Sequence, residues 1–257
     1  MKEKYGLLLL MMLGLVSCKF ASVDGTLSHK LSGEQTVERR QLGGFEQIEV
    51  IGSPTVYYQQ ADTTSVSVCG PKELVSDIIT EVSSGVLTIR NRGKLGVVNF
   101  RFSNDDELYI TVTSPDIVGV VVTGSGDFIS EGHVDTDQMN IRLKGSGDVR
   151  FSDIICDRCD IEVVGSGDVK IERLDTRSTS ATLVGSGDIN IRQQHVKTTD
   201  LSVRGSGDID LTFGEGCEAV NAELRGSGDI RLKGAVRQIR QSKHGSGDID
   251  TDDLSHP

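Results

Sequence analysis

The tetrapeptide Gly-Ser-Gly-Asp occurs seven times, starting at Gly124, Gly145, Gly165, Gly185, Gly205, Gly226 and Gly245. Successive copies stand 21, 20, 20, 20, 21 and 19 residues apart. A self-similar period near twenty marks a solenoid, in which one period folds into one unit that buries its apolar side only against its neighbours. The pattern between the tetrads says which kind. Two and four residues before each first Gly stand pairs such as Ile141 and Leu143, Ile161 and Val163, or Leu201 and Val203. One and three residues after each Asp stand Val149 and Phe151, Ile189 and Ile191, or Ile209 and Leu211. Alternation at period two is strand geometry, with side chains two apart on one face. A further apolar or small residue recurs at Val134, Cys156, Leu174, Val196, Cys217 and Val236. The expected fold is therefore all-β: a single-stranded parallel β-helix of about 20 residues per coil, right-handed by the crossover rule, with Gly-Ser-Gly-Asp at one corner of every coil.

Parity describes that corner. Counting in twos from Leu143 reaches Gly145, Gly147, Val149 and Phe151, so both glycines face inward while Ser146 and Asp148 face outward. Inward glycines let the chain bend tightly and neighbouring coils approach. Stacking then builds two outward ladders: Ser125, Ser146, Ser166, Ser186, Ser206, Ser227 and Ser246 beside Asp127, Asp148, Asp168, Asp188, Asp208, Asp229 and Asp248. Carboxylates one coil apart repel by roughly 0.9 kcal/mol at the dielectric of water, so something must offset the ladder. Hydrogen bonds to each Asp from turn amides or the neighbouring serine, with salt screening the remainder, are the expected answer, with Lys144, Arg204 and Arg225 as candidate cations. Calcium bridging successive carboxylates is the alternative, although calcium-binding β-rolls carry denser Gly/Asp repeats. No other cofactor and no defined metal site is implied.

Composition limits the function classes. The 257 residues carry a formal net charge of −11, only 4% aromatic residues and no Trp. An acidic chain without a long Lys/Arg run cannot neutralise phosphates, so nucleic acid is not an expected partner. The residues 1–17 have a basic start, Lys2 and Lys4, followed by an apolar run from Leu7 to Val16. That run is too short to span a bilayer and fits a signal peptide. Leu15-Val16-Ser17-Cys18 resembles a lipobox, which makes Cys18 the expected lipidated N-terminus and the membrane an expected partner through the lipid. Residues 18–43 read as a polar tether, and 44–257 as the solenoid with an irregular N-terminal cap and a polar C-terminal cap. Gln241 and Lys243 mark the latter, standing where earlier coils have aliphatics.

Other candidate chemistry is thin. Cys156-Asp-Arg-Cys159 is compatible with a redox pair, a metal half-site, a local disulfide or small thiols. No second C-x-x-C completes a zinc site. The histidines His29, His133, His195, His244 and His256 fall at unrelated repeat phases or in the tails, and read as exposed surface residues. Ahead of the repeats, Phe45 to Tyr58 alternates across a Gly-Ser-Pro break, and Leu74, Ile78 and Val82 stand four apart in a possible short helix.

The segments "GGFEQIEVIGSPTVYY", "PKELVSDIITEVSSGVLTIRN" and "LYITVTSPDIVGVVVTGSGD" together resemble the putative auto-transporter adhesin, head GIN domain family, over roughly residues 44 to 250. The resemblance implies an exported, often lipidated β-helical protein and carries no catalytic residues. The expected function is a non-catalytic binding or adhesion scaffold in the cell envelope, lipid-anchored, outer-membrane, and facing periplasm or cell surface. Its partner would be an extracellular polymer or another envelope protein. An envelope-stress or assembly component is the alternative. A polysaccharide-active enzyme is the remote one, because near-constant periods leave no room for cleft walls.

Overall fold

The computed structural model describes residues 36–93 and 108–255. Residues 1–17, Cys18, His29 and His256 lie outside the described residues. The elements in chain order are β1 (Thr36–Arg40), β2 (Gln47–Gly52), β3 (Thr55–Gln60), β4 (Ser65–Gly70), α1 (Lys72–Asp77), β5 (Ile78–Ser83), β6 (Val86–Asn91), β7 (Tyr109–Ser114), β8 (Gly119–Gly124) and β9 (Phe128–Asp135). The repeats follow as β10 (Gln138–Gly145), β11 (Val149–Gly165), β12 (Val169–Gly185), β13 (Ile189–Gln194), β14 (Thr198–Gly205), β15 (Ile209–Gly226) and β16 (Ile230–Gly245), closing with β17 (Ile249–Asp250) and β18 (Leu254–Ser255).

From β8 onward the chain is the expected β-solenoid. Every coil pairs in parallel and in register with the next, so that Gly124, Gly145, Gly165, Gly185, Gly205, Gly226 and Gly245 form one column. Each coil has three paired runs, illustrated by Val149–Phe151, Ile154–Cys156 and Arg158–Gly165. The tetrad joins the long run to the next short one. The variation in period is absorbed elsewhere, at the bend after the short run, where the register shifts beside Phe151, Ile171 and Phe213. The recurring aliphatics fill a narrow continuous core, and the third apolar position of each period is buried in every coil from Val134 to Val236.

The N-terminal part departs from a simple cap. β2 pairs in parallel with β8, and β3 with β9, which sets Gly52 under Gly124 and Val56 under Phe128. Gly52-Ser53-Pro54-Thr55 is thus an eighth corner of the same stack, and its coil is part of the solenoid. On its other side lie β6 and β7, again in parallel. The coil of β2 and β3 therefore sits between strands that follow it in the chain by about 40 and 70 residues. Capping falls to antiparallel strands: β5 covers β6, β4 covers β7, and β1 covers β4. Antiparallel additions end a parallel stack by changing the direction that a further coil would need.

Two boundaries differ from the sequence reading. The helix stops at Asp77, because Ile78-Ile79-Thr80 is β-branched and Ile78 enters β5 as a buried strand residue. Order also begins earlier than residue 44. β1 falls inside the stretch assigned to the tether, held by its pairing with β4 and by Arg40, whose guanidinium donates to the carbonyls of Val75 and Ile78 at 3.1 and 3.2 Å.

Candidate functional site: the corner ladder

The tetrads stack on one edge of the solenoid. Each first glycine adopts a φ between +127° and +143°, a conformation that only glycine takes without strain. Its carbonyl accepts the serine N–H of the coil above at 2.8–2.9 Å, from Ser125 through Ser227. The second glycine of the coil above shares this acceptor at most corners, as Gly147 does with Gly124 at 3.3 Å. Second glycines are buried, and a Cβ on Gly147 would lie 1.9 Å from the Gly126 carbonyl oxygen. The parity reading thus holds for the second glycine, Ser and Asp. The first glycine is half-buried from Gly124 to Gly226 and exposed at Gly245, because its positive φ turns it out of strand alternation.

The aspartates are occupied by the fold. Asp127, Asp148, Asp168, Asp188, Asp208 and Asp229 each offer Oδ1 to the backbone N–H of the next coil's aspartate, at 2.8–3.3 Å. Each carboxylate therefore replaces the strand partner that an amide at a corner lacks. The expected cations Lys144, Arg204 and Arg225 are not the ones that meet the ladder. Arg225 pairs with Glu223. Arg150 reaches Asp148 at 2.7 Å, Lys243 reaches Asp248 at 2.6 Å, and Arg231 bridges Asp208 and Asp229 at 2.9 and 2.7 Å. Arg150 and Arg231 succeed because two residues after an Asp is the next outward position on the same short run. Among the described residues, no three His, Cys, Asp or Glu side chains are grouped to hold a metal ion.

The serines have no comparable task. All seven are exposed, and Ser246 meets Ser227 at 3.0 Å. They are the surface that the corner presents.

Two further groupings escaped the sequence reading. Gln193 is fully buried at an inward position, donating to Thr199 Oγ1 at 2.8 Å and accepting from Thr179 at 2.7 Å. His133 and His195 differ in phase but share one carboxylate network. His133 Nδ1 meets Asp153 at 2.9 Å, and Arg173 links Asp153 to Asp175. His195 stands between Asp175 at 2.8 Å and Glu215 at 2.7 Å. Carboxylates only accept, so this pair of contacts favours the doubly protonated ring, and the Asp175 hydrogen bond foremost raises its pKa.

The cysteines resolve as buried thiols. Among the described residues, Cys69, Cys156, Cys159 and Cys217 are all buried, and Cys156, Cys159 and Cys217 are free thiols. A hydrogen bond between Cys156 and Cys159 lowers the former's pKa and, with burial, pushes the latter's well up.

A one-chain-wide parallel β-solenoid with a repeated polar corner is a fold consistent with a repetitive binding scaffold. The chain belongs to the putative auto-transporter adhesin, head GIN domain family, whose model matches residues 44–235. It is similar to the crystal structure of a putative adhesin from Bacteroides fragilis, with a TM-score of 0.69 and 27% identity over 85% of this chain and 97% of that one. A putative adhesin from Parabacteroides merdae has a similar fold, with a TM-score of 0.68 and 18% identity over 85% and 98% of the two chains. So does a putative lipid binding protein from Parabacteroides distasonis, with a TM-score of 0.67 and 22% identity over 84% and 97%. No curated protein matches the chain.

Proposed function

We propose that the chain is a non-catalytic binding scaffold of the cell envelope, adhesive through the serine line of its corner ladder. The observation that carries this reading is the division of labour within the tetrad. Both glycines and the aspartates are consumed in joining coils, whereas seven serines remain exposed at the constant pitch of about 4.8 Å set by strand pairing. A row of identical weak donors and acceptors suits a partner that itself repeats, where individually weak contacts multiply through effective concentration. The family description supports adhesion, as does the likeness to the Bacteroides fragilis structure. The lipobox-like Leu15-Val16-Ser17-Cys18 supports export and anchoring by acyl chains on Cys18, in the outer membrane and facing periplasm or surface.

Attachment of a deletion strain to mucin- and matrix-coated surfaces tests the proposal, with complementation by the parent gene and by a variant carrying Ser146→Gln, Ser166→Gln, Ser186→Gln and Ser206→Gln. Deletion should reduce attachment, the parent restore it, and the serine variant fold yet not restore it. Unchanged attachment of the deletion strain on every surface would sink the adhesion reading. Full rescue by the serine variant would move the contact to another face.

A further inference from the structure

The last coil ends in an open strand edge of unusual charge. Over β16 the long run from Gln238 to Gly245 pairs with β15 on one side only. The closing strands reach elsewhere: β17 pairs with Ile230 and Arg231, and β18 with Gly234 and Ala235. Among the described residues, nothing pairs with the outer edge of Gln238–Gly245. In a parallel ladder about half of the N–H and C=O groups of such a run point to the unpaired side.

The charge of this edge is opposite to that of the chain. Residues 230–247 contain Arg231, Lys233, Arg237, Arg240, Lys243 and His244 and no Asp or Glu, in a protein of net charge −11. Three of the cations are met by the molecule's own carboxylates: Arg231 by Asp208 and Asp229, Lys233 by Asp253 at 3.4 Å, and Lys243 by Asp248. Among the described residues, Arg237 and Arg240 have no carboxylate within 4.0 Å. Both are exposed, as is His244.

The inward positions select the occupant further. Gln241 stands above Ala222 and Lys243 above Leu224, so the top of the core at these two positions is polar. A strand laid on it needs polar or acidic residues opposite them, because an aliphatic would desolvate the Gln241 amide and the Lys243–Asp248 ion pair without offering a hydrogen bond in return. A second copy using the same edge in two-fold fashion would bring Arg240, Lys243 and His244 against their own mates, an unfavourable like-charge pairing. We propose that the Gln238–Gly245 edge is a docking site for an extended, acidic polypeptide segment of a partner protein, added as the next strand of the solenoid. The backbone edge supplies main-chain hydrogen bonds, and the cations select Asp and Glu at alternate positions. This site is separate from the serine line, and neither proposal depends on the other.

The test uses the full chain and a fluorescent twelve-residue probe alternating Thr or Val with Asp or Glu, beside a counterpart with Lys for each acid. Hydrogen exchange and fluorescence anisotropy are followed together. The acidic probe should bind, slow exchange of the Gln238–Gly245 amides, and weaken at least about tenfold between roughly 50 and 300 mM salt, as a screened contact must. The lysine probe should not bind. Arg237→Glu with Arg240→Glu should reduce affinity more than about tenfold, with circular dichroism unchanged because both residues are exposed and neither meets a carboxylate of the described residues. Absence of protection at Gln238–Gly245 in the presence of the acidic probe would overturn the proposal. Equal binding by polygalacturonate, which has no peptide groups, would reduce the edge to a polyanion patch. Protection of the edge by the chain alone, with dimers in sedimentation, would assign it to a second copy.

Discussion

Gly187→Ala tests whether the corner is held together by backbone contact alone. A Cβ at residue 187 would lie 2.0 Å from the Gly167 carbonyl oxygen, and 2.9 and 3.0 Å from backbone carbons of the same coil. No flexible side chain is among these neighbours, so relief requires the coils to part by about an ångström. That movement breaks the bonds joining this corner to the coil below: Ser186 N–H to Gly165 O at 2.8 Å, Asp188 N–H to Asp168 Oδ1 at 2.9 Å, and Val169 N–H to Asp188 O at 2.9 Å. Three net hydrogen bonds at about 1 kcal/mol each give a loss of ~3 kcal/mol. In a folded body of this size that corresponds to a fall of about 6–12 °C in melting temperature. Thermal unfolding followed by circular dichroism measures it, with Ser186→Ala as control, expected within ~0.5 kcal/mol of the parent because the serine is exposed. A Gly187→Ala protein melting within a degree of the parent would refute the steric reasoning, and with it the claim that these glycines are required by coil contact.

The buried triad should respond asymmetrically. Thr199→Val leaves Gln193 with an unpaired donor and should cost ~1–3 kcal/mol, whereas Thr179→Val, Gln193→Leu and Thr199→Val combined should cost less than the sum of the single changes, as read by denaturant melts. Removing an acceptor from the ladder should outweigh removing its charge: Asp168→Asn keeps an oxygen for the Asp188 N–H and should be nearly neutral, while Asp168→Ala should lose ~1–2 kcal/mol in the same melts. Calcium against a chelator should leave the parent's melting temperature unchanged, since each ladder carboxylate from Asp127 to Asp229 is committed to an amide; a calcium-dependent rise lost in Asp168→Asn would contradict this. The His195 pKa, raised by Asp175, places its stabilising contribution fully below the unfolded histidine value and removes it as pH rises through the folded value. An NMR titration should find that pKa returned towards the ordinary one in Asp175→Asn.

The coil was legible because its apolar positions keep phase with an unmistakable corner. Phase failed where the chain departs from it. Gly52-Ser53-Pro54-Thr55 has Pro for the second glycine and Thr for the aspartate, so the eighth corner is visible only through its register with Gly124. β1, with a single aliphatic in Thr-Val-Glu-Arg-Arg, owes its existence to antiparallel pairing with β4, which no local pattern reports. The histidines at 133 and 195 stand 12 and 10 residues before their corners. They occupy different register columns, and the network that Arg173 completes between Asp153 and Asp175 is hidden from any fixed count. Gln193 was at an inward position by simple alternation from Ile189 and Ile191, yet its partner Thr179 comes from the neighbouring coil and its partner Thr199 from across its own coil. Alternation gives the face a side chain points to, not what meets it there.

The position of the β2–β3 coil has a temporal consequence. A chain made from its N-terminus releases this layer early, but its two flanking layers are completed only when β7 and β9 have followed. β2 gains its first parallel neighbour only when β6 has followed, and neither side of the layer is complete before β7 and β9. Once residue 135 is out, the first template is whole, and every later coil finds its partner about 20 residues behind it. Assembly then runs in one direction at the pace of delivery, each turn laid on a finished one.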